Sequence, residues 1–175
     1  SGTLHGSTKT SVASSQTLTT TAAIANGKTI DGSGSVAITA LHSTLAADLS
    51  GITASGGRTA AFDDNGTFTG DLGTTTVTVA NTKTMTAAAN KVAGKTINKV
   101  GGGDGALAVK LVSTADDGAV DLTTVGGTAT QTFEVTGNVT FSGTLHGSIA
   151  TTIADSFTLT VAFNKVNGKT VNHDG

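Results

Sequence analysis

Three copies of Gly-Lys-Thr, beginning at Gly27, Gly94 and Gly168, are the residues of this 175-residue chain that most resemble working chemistry. A glycine-rich loop ending in Lys-Thr cradles phosphate when a further glycine stands five residues earlier and lets backbone N–H groups converge on the anion. Ala22, Ala89 and Phe163 occupy that place, so each copy reads as a turn entering a Thr/Ile strand, with no nucleotide bound. The histidines are His5, His42, His146 and His173, and no two fall at the His-x-His or i, i+4 spacing that puts two imidazoles on one metal. His5 and His146 are equivalent by repetition, and either could meet its counterparts on a threefold axis; the plainer expectation is a ring packed or solvated beside glycine.

Asp63 and Asp64 with Asp71, and Asp116 and Asp117 with Asp121, offer hard oxygen ligands of the kind calcium takes. Neither group has EF-hand spacing, and both read as turn residues. Catalytic signatures are missing: there is no G-x-S-x-G, no H-E-x-x-H and no cysteine. Paired carboxylates for glycoside cleavage can come together in any fold, yet Trp and Tyr, the usual flat platforms for sugar rings, are absent. The expectation is a non-enzyme without catalytic, cofactor-binding or metal residues and with no cofactor. Asn65-Gly-Thr67 and Asn138-Val-Thr140 fit the glycosylation pattern, but both fall at a repeated strand entry.

The elements that carry these residues are repeated. Ser1–Gly34 and Ser142–Gly175 agree at 18 of 34 positions without a gap, including all of SGTLHGS. A looser third copy runs from Thr84 to Asn98 and aligns with Thr158 to Asn172, while Asn65 to Leu72 aligns with Asn138 to Leu145. The unit is about 70 residues long. It divides the chain into 1–67, 68–140 and a partial third unit, 141–175. A chain that starts inside a recurring motif is expected to be a piece of a longer array.

Aromatic residues make up 3% of the chain and charged residues 13%, Pro is absent, and the net charge is -2. Near-neutral charge gives no electrostatic footprint for nucleic acid, no apolar run is long enough to span a membrane as a helix, and 37% hydrophobic content argues against disorder. With few bulky side chains, a monomer would form a thin core. Small residues packed between chains, or along a stacked solenoid, would remedy this, and the expectation is that the chain shares its interior with identical copies.

Period-two alternation predicts strands at Thr76–Val79, Val36–Ile38, Leu107–Leu111 and Phe157–Val161. Turns are expected at Asn26-Gly27, Asp31-Gly32, Asp63 to Gly66, Gly101 to Gly105, Asp116 to Gly118, Gly126-Gly127, Gly137-Asn138 and Asn167-Gly168. Leu41, Leu45, Leu49 and Ile52, nearly four apart, also allow a short helix, and the Ala-rich run from Thr84 to Val92 is ambiguous. Phe68, Phe141, Leu4, Leu145, Leu18 and Leu159 are expected as buried pins, with Gly27, Gly94 and Gly168 at positive φ.

Gly137-Asn-Val-Thr-Phe-Ser-Gly-Thr-Leu145, Val166-Asn-Gly-Lys-Thr-Val171 and Ile24-Ala-Asn-Gly-Lys-Thr-Ile-Asp-Gly-Ser-Gly-Ser-Val36 resemble repeats in bacteriophage tail fibres. The resemblance covers most of the chain. It implies an all-β, repetitive, elongated fibre of intertwined or stacked β modules in a homotrimer, serving as a rod between the virion and its host-recognition tip. Its partners would be its own copies and adjacent fibre or baseplate proteins, with a host receptor touched only through other parts of the fibre. Nucleic acid and membrane insertion have no place in it. The His-x-His iron sites of some tail fibre needles have no counterpart here. Two other classes remain open: a monomeric bacterial adhesin built of β-sandwich modules, and a glycan-cleaving tailspike.

Overall fold

The computed structural model describes residues 3–6 and 8–175, so Ser1, Gly2 and Ser7 of the first SGTLHGS lie outside the described residues. The chain begins with β1 (Thr10–Val12), β2 (Thr17–Thr21) and a one-turn helix α1 (Ala22–Ala25), then β3 (Ile30–Gly32), β4 (Ser35–Leu41), β5 (Arg58–Phe62) and β6 (Gly66–Phe68). β7 (Thr76–Val79), β8 (Thr84–Ala88), α2 (Ala89–Val92), β9 (Ile97–Lys99), β10 (Ala106–Leu111) and α3 (Thr114–Asp117) follow. The last part holds β11 (Thr130–Val135), β12 (Val139–Phe141), β13 (Thr151–Ile153), β14 (Leu159–Val161), α4 (Phe163–Val166) and β15 (Val171–His173).

Every pairing between these strands is parallel. Thr10 lies beside Ile30, Val77 beside Ile97, Val139 beside Leu159 and Thr151 beside Val171, each pair twenty residues apart. The chain therefore winds in coils of about twenty residues, each laid on the one before, the geometry of a solenoid. Two sheets result, β2-β4-β5-β7-β9 and β6-β8-β10-β11-β13-β15, with the smaller pairs β1-β3 and β12-β14. An adhesin sandwich needs antiparallel sheets face to face. The described residues form none.

Alternation decides which residues enter the coil. Val36, Ile38, Ala60, Phe62, Val77 and Val79 point inward on one sheet, and Met85, Ala87, Leu107, Val109 and Phe133 on the other; all are buried. Outward positions stack into columns of small residues, Thr19–Ala37–Thr59–Thr76 on one sheet and Thr67–Thr86–Ala108–Thr132 on the other. At about 4.8 Å between strands, β-branched and small side chains fit such columns well.

A single continuous core runs from Val12 to Leu145. The accessible surface is 8167 Å², close to the roughly 7,700 Å² of a folded monomer of 17.0 kDa. One chain thus closes its own interior. The expectation that burial requires identical copies is corrected, because inward-facing Val, Ile and Leu of successive coils supply the area that aromatics supply elsewhere. Of the expected pins, Phe68, Phe141 and Leu145 are buried, while Leu4, Leu18 and Leu159 are half-buried.

Thr76–Val79 is β7, and Val36–Ile38 and Leu107–Leu111 lie within β4 and β10. Of Phe157–Val161, by contrast, only Leu159–Val161 is strand, and Asp31-Gly32, expected as a turn, ends β3. Differences lie at the corners. Leu41 ends β4, and Leu45, Leu49 and Ile52 sit in an irregular segment whose inward positions imitate helical spacing. Asp116 and Asp117 are in α3 and not in a turn, because the Ser113 hydroxyl accepts the Asp116 N–H and caps that helix. The Ala-rich run is strand up to Ala88 and helix after it.

Repetition in sequence is repetition in structure. β1–β2–α1–β3 recurs as β13–β14–α4–β15, and β8–α2–β9 is the middle copy. Gly27, Gly94 and Gly168 have φ of 65°, 71° and 72°, and the strand-entry corners place Ser15, Thr82 and Ser156 at 65°, 60° and 69°. The unit boundaries after Thr67 and Thr140 fall inside β6 and β12. About 70 residues do not divide evenly into coils of about twenty, so successive copies land on different faces.

Gly70 and Gly143 occupy one repeat position where coils approach closely. A Cβ there would fall on the carbonyl oxygen of Ala47 or Val120 and within 2.7 or 2.9 Å of the Phe68 or Phe141 ring. At Gly168 a Cβ meets nothing within 4 Å, leaving only the strain of positive φ. Gly143→Ala is therefore expected to lower stability by about 2–3 kcal/mol, through overpacking against backbone, and Gly168→Ala by about 1 kcal/mol. Denaturant midpoints check this; equal or reversed effects contradict the close coil approach.

Candidate functional site

The middle and C-terminal copies of the repeat build the same groove twice. β6 lies beside β8 with Thr67 opposite Thr86 and Phe68 opposite Ala87. β12 lies beside β14 with Thr140 opposite Thr160 and Phe141 opposite Val161. One side chain sets both registers: Asn65 Oδ1 accepts the Thr84 N–H at 2.8 Å, and Asn138 Oδ1 accepts the Thr158 N–H at 3.0 Å. These asparagines of the glycosylation patterns are brackets between coils.

After each strand pair the chain turns through α2 or α4 and brings a lysine to the rim. The first groove, about 380 Å³, is lined by Thr67, Thr69, Thr86 and Lys91, with Lys110, Val112 and Thr136 from later coils. The second, about 550 Å³, is lined by Thr140, Ser142, Thr160, Asn164 and Lys165. Its floor is apolar and its rim carries hydroxyls and an ammonium group, which can donate hydrogen bonds to an anionic or hydroxylated ligand. Lys110 is already paired with Glu134. Ile24 replaces the rim lysine in the N-terminal copy.

No carboxylate lines either groove. A third groove of about 440 Å³ beside α3 has one, Asp116, which accepts from the Ser113 hydroxyl at 2.8 Å. Acid and base carboxyls facing each other across a bond, as glycoside cleavage requires, are not brought together in these three grooves.

The first two Gly-Lys-Thr turns spend donors on neighbouring coils. Gly27 N–H donates to Asp48 O at 2.9 Å, Gly94 N–H to Thr124 Oγ1 at 2.8 Å, and the Lys95 ammonium to Gly73 O. The acidic clusters are also separated. Asp63 faces His42 at 3.0 Å, Asp64 accepts from the Ser43 hydroxyl at 2.8 Å, and Asp71 accepts from Gly73 N–H at 2.8 Å. Asp121 closes a local turn on Thr123. Asp48 does likewise, and the hydroxyl and N–H of Ser50 hold its carboxyl below the ordinary carboxylate range. Asp117 is fully buried and accepts N–H groups from Val112 at 2.8 Å and Asn90 at 3.0 Å, joining α3 to α2.

Sequence reasoning missed these brackets. Asn26 Oδ1 accepts the Asp48 N–H at 2.8 Å and Asn98 Oδ1 the Thr128 N–H at 3.1 Å, in the manner of Asn65 and Asn138. The available signal was asparagine recurring at fixed places in the repeat.

His146 Nδ1 accepts N–H groups from Ser148 at 3.3 Å and Ile149 at 3.1 Å, and its ring stacks on Phe133 with centroids 5.4 Å apart. His5 Nδ1 likewise accepts the Thr8 N–H at 3.1 Å. Among the described residues no three His, Cys, Asp or Glu gather where they could hold a metal ion, and no helix is long and apolar enough to cross a membrane.

With Nδ1 accepting, the proton of neutral His146 sits on Nε2. Metal ligation at Nε2 would move that proton to Nδ1 and break both local bonds. Dialysis against EDTA is therefore expected to leave the thermal midpoint unchanged. Stoichiometric metal in the purified chain, or a midpoint that falls on chelation, contradicts this account of the histidines.

No protein-family model matches the chain, and neither does any curated protein or solved structure. Its functional reading therefore stands on its own residues and coils.

Proposed function

We propose that this chain is a structural component of a bacteriophage tail fibre, a shaft segment that assembles as a homotrimer and links the virion to its host-recognition tip. One observation carries the reading. A unit whose sequence resembles tail fibre repeats is laid down in this chain as parallel coils, an architecture that gains length by repetition at constant cross-section. Each added coil advances the stack by about 4.8 Å. Parallel main-chain ladders and a continuous core make such a rod stiff and hard to proteolyse.

In this reading the protein is virion-borne, extracellular and non-enzymatic, and it needs no cofactor. Because each chain closes its own core, three chains meet through their outward Thr and Ala faces. Adjacent fibre or baseplate proteins grip the shaft, and the receptor is touched elsewhere on the fibre. Nucleic acid and membrane insertion remain outside the role.

Antibodies raised against the 175-residue chain are expected to label tail fibres in immunogold electron microscopy of phage particles from the culture that yields this sequence. Native mass measurement is expected to give a trimer of the 17.0 kDa chain. Gold confined to bacterial cell surfaces would overturn the assignment in favour of an adhesin.

A further inference from the structure

The groove over β6, β8 and β10, in the middle of the chain, is walled mainly by apolar side chains. Phe68 and Ala87, both fully buried, close its floor, and Ala88 and Val112 form its sides. Val112 is 48% exposed and lies outside the buried core. At about 380 Å³ the groove falls near the lower end of the roughly 300–1,000 Å³ range of small-ligand sites, which leaves room for one acyl chain and not for a whole lipid.

The rim supplies one uncompensated charge. Lys110 is paired with Glu134. Lys91, carried to the rim by α2, has no ion-pair partner among the described residues, and no carboxylate lines the groove. The two sides are held from beneath. Asp117, fully buried, accepts the Asn90 N–H beside Lys91 at 3.0 Å and the Val112 N–H at 2.8 Å. One carboxylate thus ties the helical turn that bears the cation to the wall that bears the apolar side chain. Gly137 packs so tightly on that wall that a Cβ would fall 1.9 Å from the Val112 carbonyl oxygen. The groove is therefore formed before a ligand arrives, which lowers the cost of binding.

We propose that this groove binds the anion of a medium-chain fatty acid, its alkyl chain along Ala88 and Val112 and its carboxylate on the Lys91 ammonium. That contact is a charge-assisted hydrogen bond, strengthened where the apolar slot excludes water. A cationic ligand would meet Lys91 with no carboxylate to oppose it. A sugar would find neither a Trp or Tyr platform nor a carboxylate acceptor. A nucleotide phosphate would find one free ammonium and no convergent N–H groups, since Gly94 N–H in the turn after α2 donates to Thr124 Oγ1. The inference rests on this groove alone and is independent of the tail fibre role.

Methyl NMR reads the contact directly. Sodium decanoate, titrated below its micelle concentration, is expected to shift the methyl signals of Val112, Ala88 and Thr136 together and to saturate them. Lys91→Met keeps the stem and removes the charge, and it is expected to weaken binding about tenfold or more, as loss of a hydrogen bond to a charged group does. Lys91→Arg retains binding, and Val112→Asp, which puts a like charge in the wall, abolishes it. Decyltrimethylammonium, of equal chain length and opposite charge, gives no saturable shift. Circular dichroism confirms folding of the variants, which is expected because neither side chain belongs to the core. Shifts that fail to saturate, equal binding of the cationic probe, or binding indifferent to Lys91→Met overturns the site. So does cosedimentation with phosphatidylglycerol vesicles without any decanoate shift, the mark of a membrane surface as the partner.

Discussion

The return of the chain, parallel and in register, onto the strand about twenty residues earlier is the constraint on which the structure depends. If the register held on only one face, inward rows would slip outward on the next, since a one-residue shift exchanges the two faces of a strand. The corners therefore carry as much of the specification as the strands. Positive-φ residues at Ser15, Thr82 and Ser156 turn the chain sharply. Asparagine side chains at Asn26, Asn65, Asn98 and Asn138 fix the height of each coil on its neighbour by accepting its backbone N–H. Where coils come closest, only glycine fits, as at Gly70 and Gly143.

The same constraint explains the composition. An outward column passes one residue from each coil at strand spacing, and Thr and Ala fill it without crowding. Four of the six Phe, Phe62, Phe68, Phe133 and Phe141, point inward and are fully or almost fully buried, while Phe157 and Phe163 of the last copy are exposed. Proline would remove a ladder donor from strands paired on both sides, which suits its absence. The proposed shaft role asks for these properties: repetition without change of section, and outward faces smooth enough for side-by-side association.

Alternation at Thr76–Val79 and Leu107–Leu111 made those strands legible, since period two is what a half-buried strand imposes. Whether they pair parallel or antiparallel leaves no trace in that alternation. The coil length was hidden as well, because the evident repeat is the unit of about 70 residues, several coils long. Leu41 at the end of β4 and Leu49 and Ile52 in the irregular segment after it all point inward, and inward points on a curved path can imitate helical spacing without a helix. The grooves could not be read at all, since Thr67 and Thr86 become neighbours only when one coil lies on the next. The Gly-Lys-Thr turns were legible as turns because the missing upstream glycine is visible in the sequence itself.

The central claim, that one chain stacks parallel coils and closes its own core, is tested most directly by nuclear Overhauser effects in an equal mixture of isotope-labelled and unlabelled protein. Thr59 is opposite Ala37, and Phe133 opposite Val109. The account predicts in-register parallel contacts at both pairs, arising within single molecules. Contacts that arise only between labelled and unlabelled chains, or that follow an antiparallel pattern, would contradict it.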